Sequence, residues 1–191
     1  MILKLLIEFL IEINKGSDYI LNYSEIFWTD VINGEGLRVS LFTSGCTIRC
    51  PGCFNTKAWD FNAGKRFTTD TMVDILKHVF NDKINYSGLS LLGGEPLDNM
   101  EGLIPLLEEF NRMNKVKNAD KNVWIWSGRD LDEILKDEKK VDFLFKYCDT
   151  IVTGPFIEDL KDLTLKFRGS SNQKIYTIDK EYHTFTLRED L

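Results

Sequence analysis

Cys46, Cys50 and Cys53 stand in one run of eight residues, Cys46-Thr47-Ile48-Arg49-Cys50-Pro51-Gly52-Cys53, while the remaining cysteine, Cys148, lies far along the chain. This crowding constrains the fold more than any other feature. A C-x-x-x-C-x-x-C loop can wrap three thiolates around one inorganic centre, but it is a poor disulfide framework and differs from the paired C-x-x-C of common zinc sites. Iron–sulfur clusters are held through four positions, so three local cysteines leave one iron open to an exogenous ligand unless Cys148 closes the set. Gly45, Pro51 and Gly52 supply the tight backbone that lets the sulfurs converge and a ligand approach. On spacing alone the competing readings are a structural zinc site of Cys46, Cys50, Cys53 and Cys148, which would make the chain a non-catalytic interaction module, or simple buried thiols.

The rest of the chain narrows the setting. At 191 residues it fits one domain able to bury a real core. A formal charge of -6 with no Lys/Arg cluster gives no footprint for nucleic acid. Unpaired thiols fit a reducing cytoplasm. Met1 to Asn14 is apolar but too short to span a bilayer, and it carries Glu8 and Glu12 without a basic start or cleavage site, so neither a membrane anchor nor a signal peptide is expected. Lys4, Glu8 and Glu12 would share one face of a helix whose other faces are apolar, a pattern suited to docking or to a homodimer contact.

Periodicity then orders the elements. Ile26 to Ile32 and Leu37 to Thr43 read as strands about the turn Asn33-Gly34-Glu35-Gly36, and the cysteine loop follows the second directly. Thr69 to Asp82 has helical spacing, Leu89 to Leu92 is a short strand ending in Gly93-Gly94, and the stripe from Met100 to Phe110 predicts the next helix, with Pro105 near its start. Asn122 to Trp126 and Thr150 to Val152 are further strands separated by a long helical stretch from Asp130 to Tyr147, and Lys174 to Ile178 and His183 to Leu187 are strands of the tail. Strands alternating with helices imply an α/β fold with a parallel sheet, open or curled into a complete or partial barrel. His78 and His183 read as structural or surface residues.

Gly93-Gly94-Glu95-Pro96, following the next parallel strand after the cysteine loop, completes a pair of motifs that resembles the radical S-adenosylmethionine superfamily. Within it, Asn33-Gly34-Glu35-Gly36-Leu37-Arg38, Cys50-Pro51-Gly52-Cys53-Phe54-Asn55, Ala58-Trp59-Asp60-Phe61-Asn62-Ala63-Gly64, Gly154-Pro155-Phe156 and Phe167-Arg168-Gly169-Ser170-Ser171-Asn172-Gln173 are similar to the activating enzymes of anaerobic (class III) ribonucleoside-triphosphate reductases. The likeness runs from about Asn22 to Ile178. The chain departs from many superfamily members in having Gly52 where an aromatic residue precedes the last cysteine, with Phe54 just after it. The segment 1–20 has no counterpart and reads as an oligomerisation helix or an over-called upstream start.

The resemblance implies a single-domain partial (β/α) barrel over 21–191, with a [4Fe-4S] cluster on Cys46, Cys50 and Cys53 and S-adenosyl-L-methionine chelating the open iron. It implies that backbone at Gly93, Gly94 and Glu95 holds the methionine amino end while Pro96 fixes the chain's exit, and that Gly52 and Phe54 meet adenine unless Phe54 is core. Ser127 and Gly128, at the end of the strand Asn122 to Trp126, could meet ribose or carboxylate. No side-chain acid or base is required beyond the cluster. The implied protein substrate is the reductase, on which a glycyl radical is formed, with electrons from a flavodoxin-type donor. Arg38 and Arg168 are candidates for docking the glycine loop, or solvated charges. An activator of another glycyl-radical enzyme, such as pyruvate formate-lyase, shares the same cluster and cofactor, but the Phe167 to Gln173 segment argues against it.

Overall fold

The period-two pattern of the central strands divides their side chains between two buried faces, and this division builds the molecule. In the computed structural model, which describes residues 19–191, the strands are β1 (Asn22–Asp30), β2 (Arg38–Thr43), β3 (Lys65–Arg66), β4 (Gly88–Gly93), β5 (Asn122–Trp126), β6 (Thr150–Thr153), β7 (Lys174–Asp179) and β8 (Thr184–Leu187). They form one sheet in the order β3-β1-β2-β4-β5-β6-β7-β8. The pairs β2/β4, β4/β5 and β5/β6 are parallel, as the alternation of strands and helices implies, while the strands flanking them on both sides pair antiparallel. The helices are α1 (Thr69–Val79), α2 (Met100–Lys117), α3 (Leu131–Ile134) and α4 (Glu138–Tyr147). The expected N-terminal helix falls largely outside the described residues, and among those residues no helix is long and apolar enough to cross a membrane.

Register sets which residues share a face. Val39 pairs with Leu89 and Leu41 with Leu91, and these in turn pair with Val123 and Ile125. All six belong to the main core, which also contains Ile75 and Leu76 of α1, Leu106 and Phe110 of α2, and Leu144 of α4. The alternate residues face the other way. Ser40 pairs with Ser90 and Ser90 with Trp124, and Trp124 packs with Val152 and Ile175 in a second, smaller cluster bordered by Trp126, Phe167 and Leu191. Burial of both faces is what a parallel sheet requires. Parallel pairing also brings the carboxyl ends of β2, β4, β5 and β6 to one edge, where α/β proteins gather ligand-binding loops.

Three local expectations need correction. The first strand runs from Asn22 to Asp30 instead of Ile26 to Ile32. It stops early because the Asp30 carboxylate accepts hydrogen bonds from the backbone N–H of Ile32 at 2.7 Å and of Asn33 at 3.2 Å, turning the chain. It starts early because Asn22 and Tyr23 pair with β3, a strand too short to show in a periodicity. The helical stretch Asp130 to Tyr147 is broken in two, and the Asp137 side chain caps the second piece by accepting from Lys140 N–H.

Arg38 is the third correction. It is not a surface charge available to a partner but is fully buried. Its Nε donates to Ser90 Oγ at 2.7 Å, and its terminal nitrogens donate to Asn122 Oδ1 at 2.8 Å, Leu89 O at 2.8 Å, Asn122 O at 3.1 Å and Glu35 O at 3.1 Å. The guanidinium also lies 5.6 Å from the ring centre of Trp124. Burial pushes its pKa down to about 10, against the opposing pull of Asp149, Asp30 and Glu35. Arg38 therefore ties the starts of β2, β4 and β5 together beneath the inner face. Arg168 is half-buried and donates to the carbonyls of Gln173 and Leu191. His78 and His183 pack against Trp28 and Phe145 respectively.

Replacing Arg38 by Ala strands these buried acceptors, since a hydrogen bond to a charged group contributes about 1.5–3 kcal/mol and its unmatched partner costs more. Arg38→Ala is expected to lower unfolding stability by roughly 3 kcal/mol or more, and Arg38→Lys to recover only part of it because an ammonium cannot span the same fork. Denaturant unfolding of the three proteins checks this.

Candidate active site at the carboxyl edge of the sheet

The cysteine loop leaves β2 and is pinned at once. Gly45 N–H donates to Ala58 O at 2.8 Å and Cys46 N–H to Trp59 O at 3.2 Å, while Thr47 donates through N–H and Oγ1 to Asp98 Oδ2 at 2.8 and 2.7 Å. Gly45 is required here: its φ is +101°, and a Cβ would sit 2.2 Å from the Phe61 ring. Beyond it the chain reverses through Arg49 at φ 54° and Gly52 at φ 74°, and Cys53 N–H closes a turn on Cys50 O at 3.2 Å. The three cysteines consequently line one open cavity of about 180 Å³. Burial raises the Cys46 thiol pKa, although backbone hydrogen bonds from Arg49 and Ile48 oppose that rise.

The Gly93-Gly94-Glu95-Pro96 turn is stitched to this loop. Gly94 N–H donates to Thr43 O and Glu95 N–H to Gly45 O, both at 2.8 Å. A Cβ on Gly94 would fall 2.5 Å from Gly45 O, so the second glycine is there to let two backbones touch. With these amides occupied, the segment's remaining backbone offer to a ligand is carbonyl oxygen, which suits an amino group that donates. Gly93, Gly94 and Glu95 line the cavity, whereas Pro96 is buried and opens a short 3₁₀ turn away from its wall.

Glu95 does something the sequence does not show. It is fully buried, and its carboxylate accepts from Leu97 N–H at 3.0 Å, Gly128 N–H at 2.9 Å and Ser127 Oγ at 3.2 Å. Desolvation pushes its pKa up to about 7 in spite of the Gly128 and Leu97 amides that favour the charged form. The side chain thus brackets the end of β4 to the end of β5, and Ser127 and Gly128 reach the cavity wall as a result. Gly128 in turn seats against Ile48 of the cysteine loop, whose Cδ1 lies 2.8 Å from where a Cβ would be.

Two further residues complete the bracket. Arg129 donates to Asp98 Oδ1 at 2.7 Å and to Thr47 Oγ1 at 3.0 Å, joining the three loops in one ion-paired network. Sequence reading passes over Asp98 and Arg129, and the only available signal is that Asp98 lies two residues beyond Pro96 and Arg129 directly follows Gly128. Across the cavity the Phe167 to Gln173 segment braces itself: Gln173 Oε1 accepts from Gly169 N–H at 2.8 Å, and its Nε2 donates to Gly154 O at 3.0 Å. Phe54 stands on the rim, 91% exposed, so it is not core. Gly52 is not on the cavity wall and faces Glu158 instead.

Cys148 lies elsewhere. It directly follows α4 and lies two residues before β6, at the amino ends of the parallel strands, whereas the cysteine loop follows the carboxyl end of β2. At about 3.3 Å per residue the strands between hold the two apart by well over 10 Å. Cys148 is fully buried in the main core, and burial drives its thiol pKa far up. It cannot close a four-thiolate site.

Known proteins match most of this chain. A family model described as a 4Fe-4S single cluster domain matches residues 32–176. An anaerobic ribonucleoside-triphosphate reductase-activating protein of Haemophilus influenzae is 40% identical over 158 residues, covering 82% of this chain and 97% of that protein. Proteins of the same name from Escherichia coli K12 and enterobacteria phage T4 are 35% and 34% identical, and each alignment covers 82% of this chain and 98% or 94% of the relative. The residues present fit a cluster. Among the described residues no three or more His, Cys, Asp or Glu side chains are gathered closely enough for a single metal ion. A four-iron core instead asks each thiolate to reach a different iron, which cysteines spread around one wall can meet.

Cys50→Ala is expected to abolish iron and sulfide binding, while Cys148→Ala leaves both intact and costs about 1 kcal/mol of stability; metal and sulfide analysis with unfolding curves distinguishes the two. The Glu95 pKa gives a second test on the apoprotein. The folded state holds this proton more tightly than the unfolded chain, so Glu95 makes stability fall as pH rises from about 4.5 to about 7. The difference in unfolding stability between wild type and Glu95→Gln should carry that slope across this window and be flat above it.

Proposed function

The chain belongs to the family of anaerobic ribonucleoside-triphosphate reductase-activating proteins, and on that premise we propose that it is a radical S-adenosylmethionine enzyme that installs a glycyl radical on such a reductase. The observation that carries the reading is the convergence of three thiols, the Gly93-Gly94-Glu95 turn and Ser127-Gly128 on one cavity, with the fourth cysteine at the far end of the sheet. Three ligands leave a four-iron cluster one iron for an outside chelator. The cluster, when bound, supplies the electron that cleaves S-adenosylmethionine to methionine and the 5′-deoxyadenosyl radical that takes hydrogen from glycine.

The chain's own residues bind, orient and shield. Carbonyls of the glycine turn receive the amino end of the cofactor, and the Glu95 bracket keeps Ser127 and Gly128 at a fixed distance from that turn. Phe54, exposed on the rim, is placed to cover adenine, while the apolar inner-face side chains Phe42, Leu92 and Trp126 floor the cavity and keep water from it. The curl of the sheet in this reading is that of a partial (β/α) barrel, whose mouth receives the reductase's glycine segment. Glycine suits the substrate role because a backbone without a side chain can enter a narrow site. A flavodoxin-type protein is the reductant in keeping with such a cluster.

The test is anaerobic reconstitution with iron and sulfide, then reduction with S-adenosylmethionine and a candidate anaerobic reductase. A glycyl radical signal on the reductase, with one 5′-deoxyadenosine released for each radical formed, is expected. Release of 5′-deoxyadenosine with no radical on any anaerobic reductase would overturn the assigned substrate, and a zinc-loaded protein without iron would overturn the chemistry.

A further inference from the structure

Two buried polar groups of the segments that flank and brace the cysteine loop have no hydrogen-bond partner among the described residues: the Ser44 hydroxyl and the Trp59 indole Nε1. Leaving a buried donor unmatched costs about 1–3 kcal/mol, so such groups call for an explanation, and a partner that arrives with a ligand is one. Neither residue is loosely placed. Ser44 is fully buried directly after β2, its amide held by Asn22 O at 2.8 Å. Trp59 ends the 3₁₀ turn Thr56–Trp59, its own carbonyl accepts from Cys46 N–H at 3.2 Å, and its ring lines the cavity that the three cysteines share.

The indole N–H can only donate, so what it lacks is an acceptor. Trp59 shares its cavity with Cys46, and Ser44 lies two residues before it in the chain, so the acceptors that a loaded site would add are the thiolate sulfurs and the sulfides of the cluster. Hydrogen bonds to cluster sulfurs stabilise the more negative, reduced state and so set its potential. We propose that Trp59 and Ser44 are positioning residues that donate hydrogen bonds to sulfur at the Cys46 corner of the cluster and raise its reduction potential. This rests on the cluster reading above and goes beyond it by assigning a role to the Ala58-Trp59-Asp60 segment, which neither cofactor binding nor catalysis there uses.

The experiment compares full-length, anaerobically reconstituted wild type with Ser44→Ala, Trp59→Phe and a protein carrying β-(3-benzothienyl)alanine at position 59. That analogue keeps the shape of the indole, and the backbone bond to Cys46, but has no N–H. Midpoint potentials come from redox titrations followed by electron paramagnetic resonance without S-adenosylmethionine, and exchangeable-proton couplings from electron–nuclear double resonance of the reduced cluster before and after transfer to deuterium oxide. Each variant is expected to hold as much iron and sulfide as wild type, to reduce at a more negative potential, and to lose one exchangeable-proton coupling. A fully loaded benzothienylalanine protein and a fully loaded Ser44→Ala protein with wild-type potential and couplings would overturn the assignment, even if Trp59→Phe fails to fold. A wild-type chain that takes up no iron–sulfur cluster overturns both this inference and the function proposed above.

Discussion

The site depends on one structural fact, the parallel pairing of β2 with β4. That ladder runs from Arg38 beside Gly88 to Thr43 beside Gly93 and continues past both strands as the bonds Gly94 N–H to Thr43 O and Glu95 N–H to Gly45 O. A cysteine loop and a glycine turn more than forty residues apart in sequence become one surface because the hydrogen bonding of the sheet does not stop where the strands end. The glycines are the condition for it, since side chains at Gly45 and Gly94 would collide with Phe61 and with Gly45 O.

Around that seam the protein places charge where it braces. Arg38 at the amino ends of the strands and Glu95 at their carboxyl ends are both fully buried, and each spends its hydrogen bonds joining neighbouring elements. The desolvation of both groups shows in their shifted pKa values, down for Arg38 and up for Glu95. The largely buried Asp98–Arg129 ion pair of the same bracket holds the cysteine loop through Thr47.

Much of this was legible in the sequence because its signals are contiguous. The cysteine run, Gly93-Gly94-Glu95-Pro96 and the apolar stripes of β4, β5 and α2 each carry their meaning within a few residues, and the parallel core followed from their alternation. What escaped is non-local. Arg38 reads as a surface charge until Ser90 and Asn122 are known to converge on it, and the two-residue β3 has no pattern until Asn22 and Tyr23 pair with it. The motif reads Glu95 as a backbone contact to the cofactor, and only the fold brings its carboxylate to Ser127 and Gly128, more than thirty positions away. Gly52 belongs to the cysteine loop by sequence, and its left-handed backbone, which no periodicity shows, turns it toward Glu158.

In the proposed mechanism three cysteines of one loop leave a single iron distinct from the others. Mössbauer spectroscopy of holoprotein enriched in ⁵⁷Fe reads this directly. One iron of four is expected to change its isomer shift and quadrupole splitting when S-adenosylmethionine is added, with the other three unmoved. Four irons that remain indistinguishable and unaltered at saturating S-adenosylmethionine would contradict it.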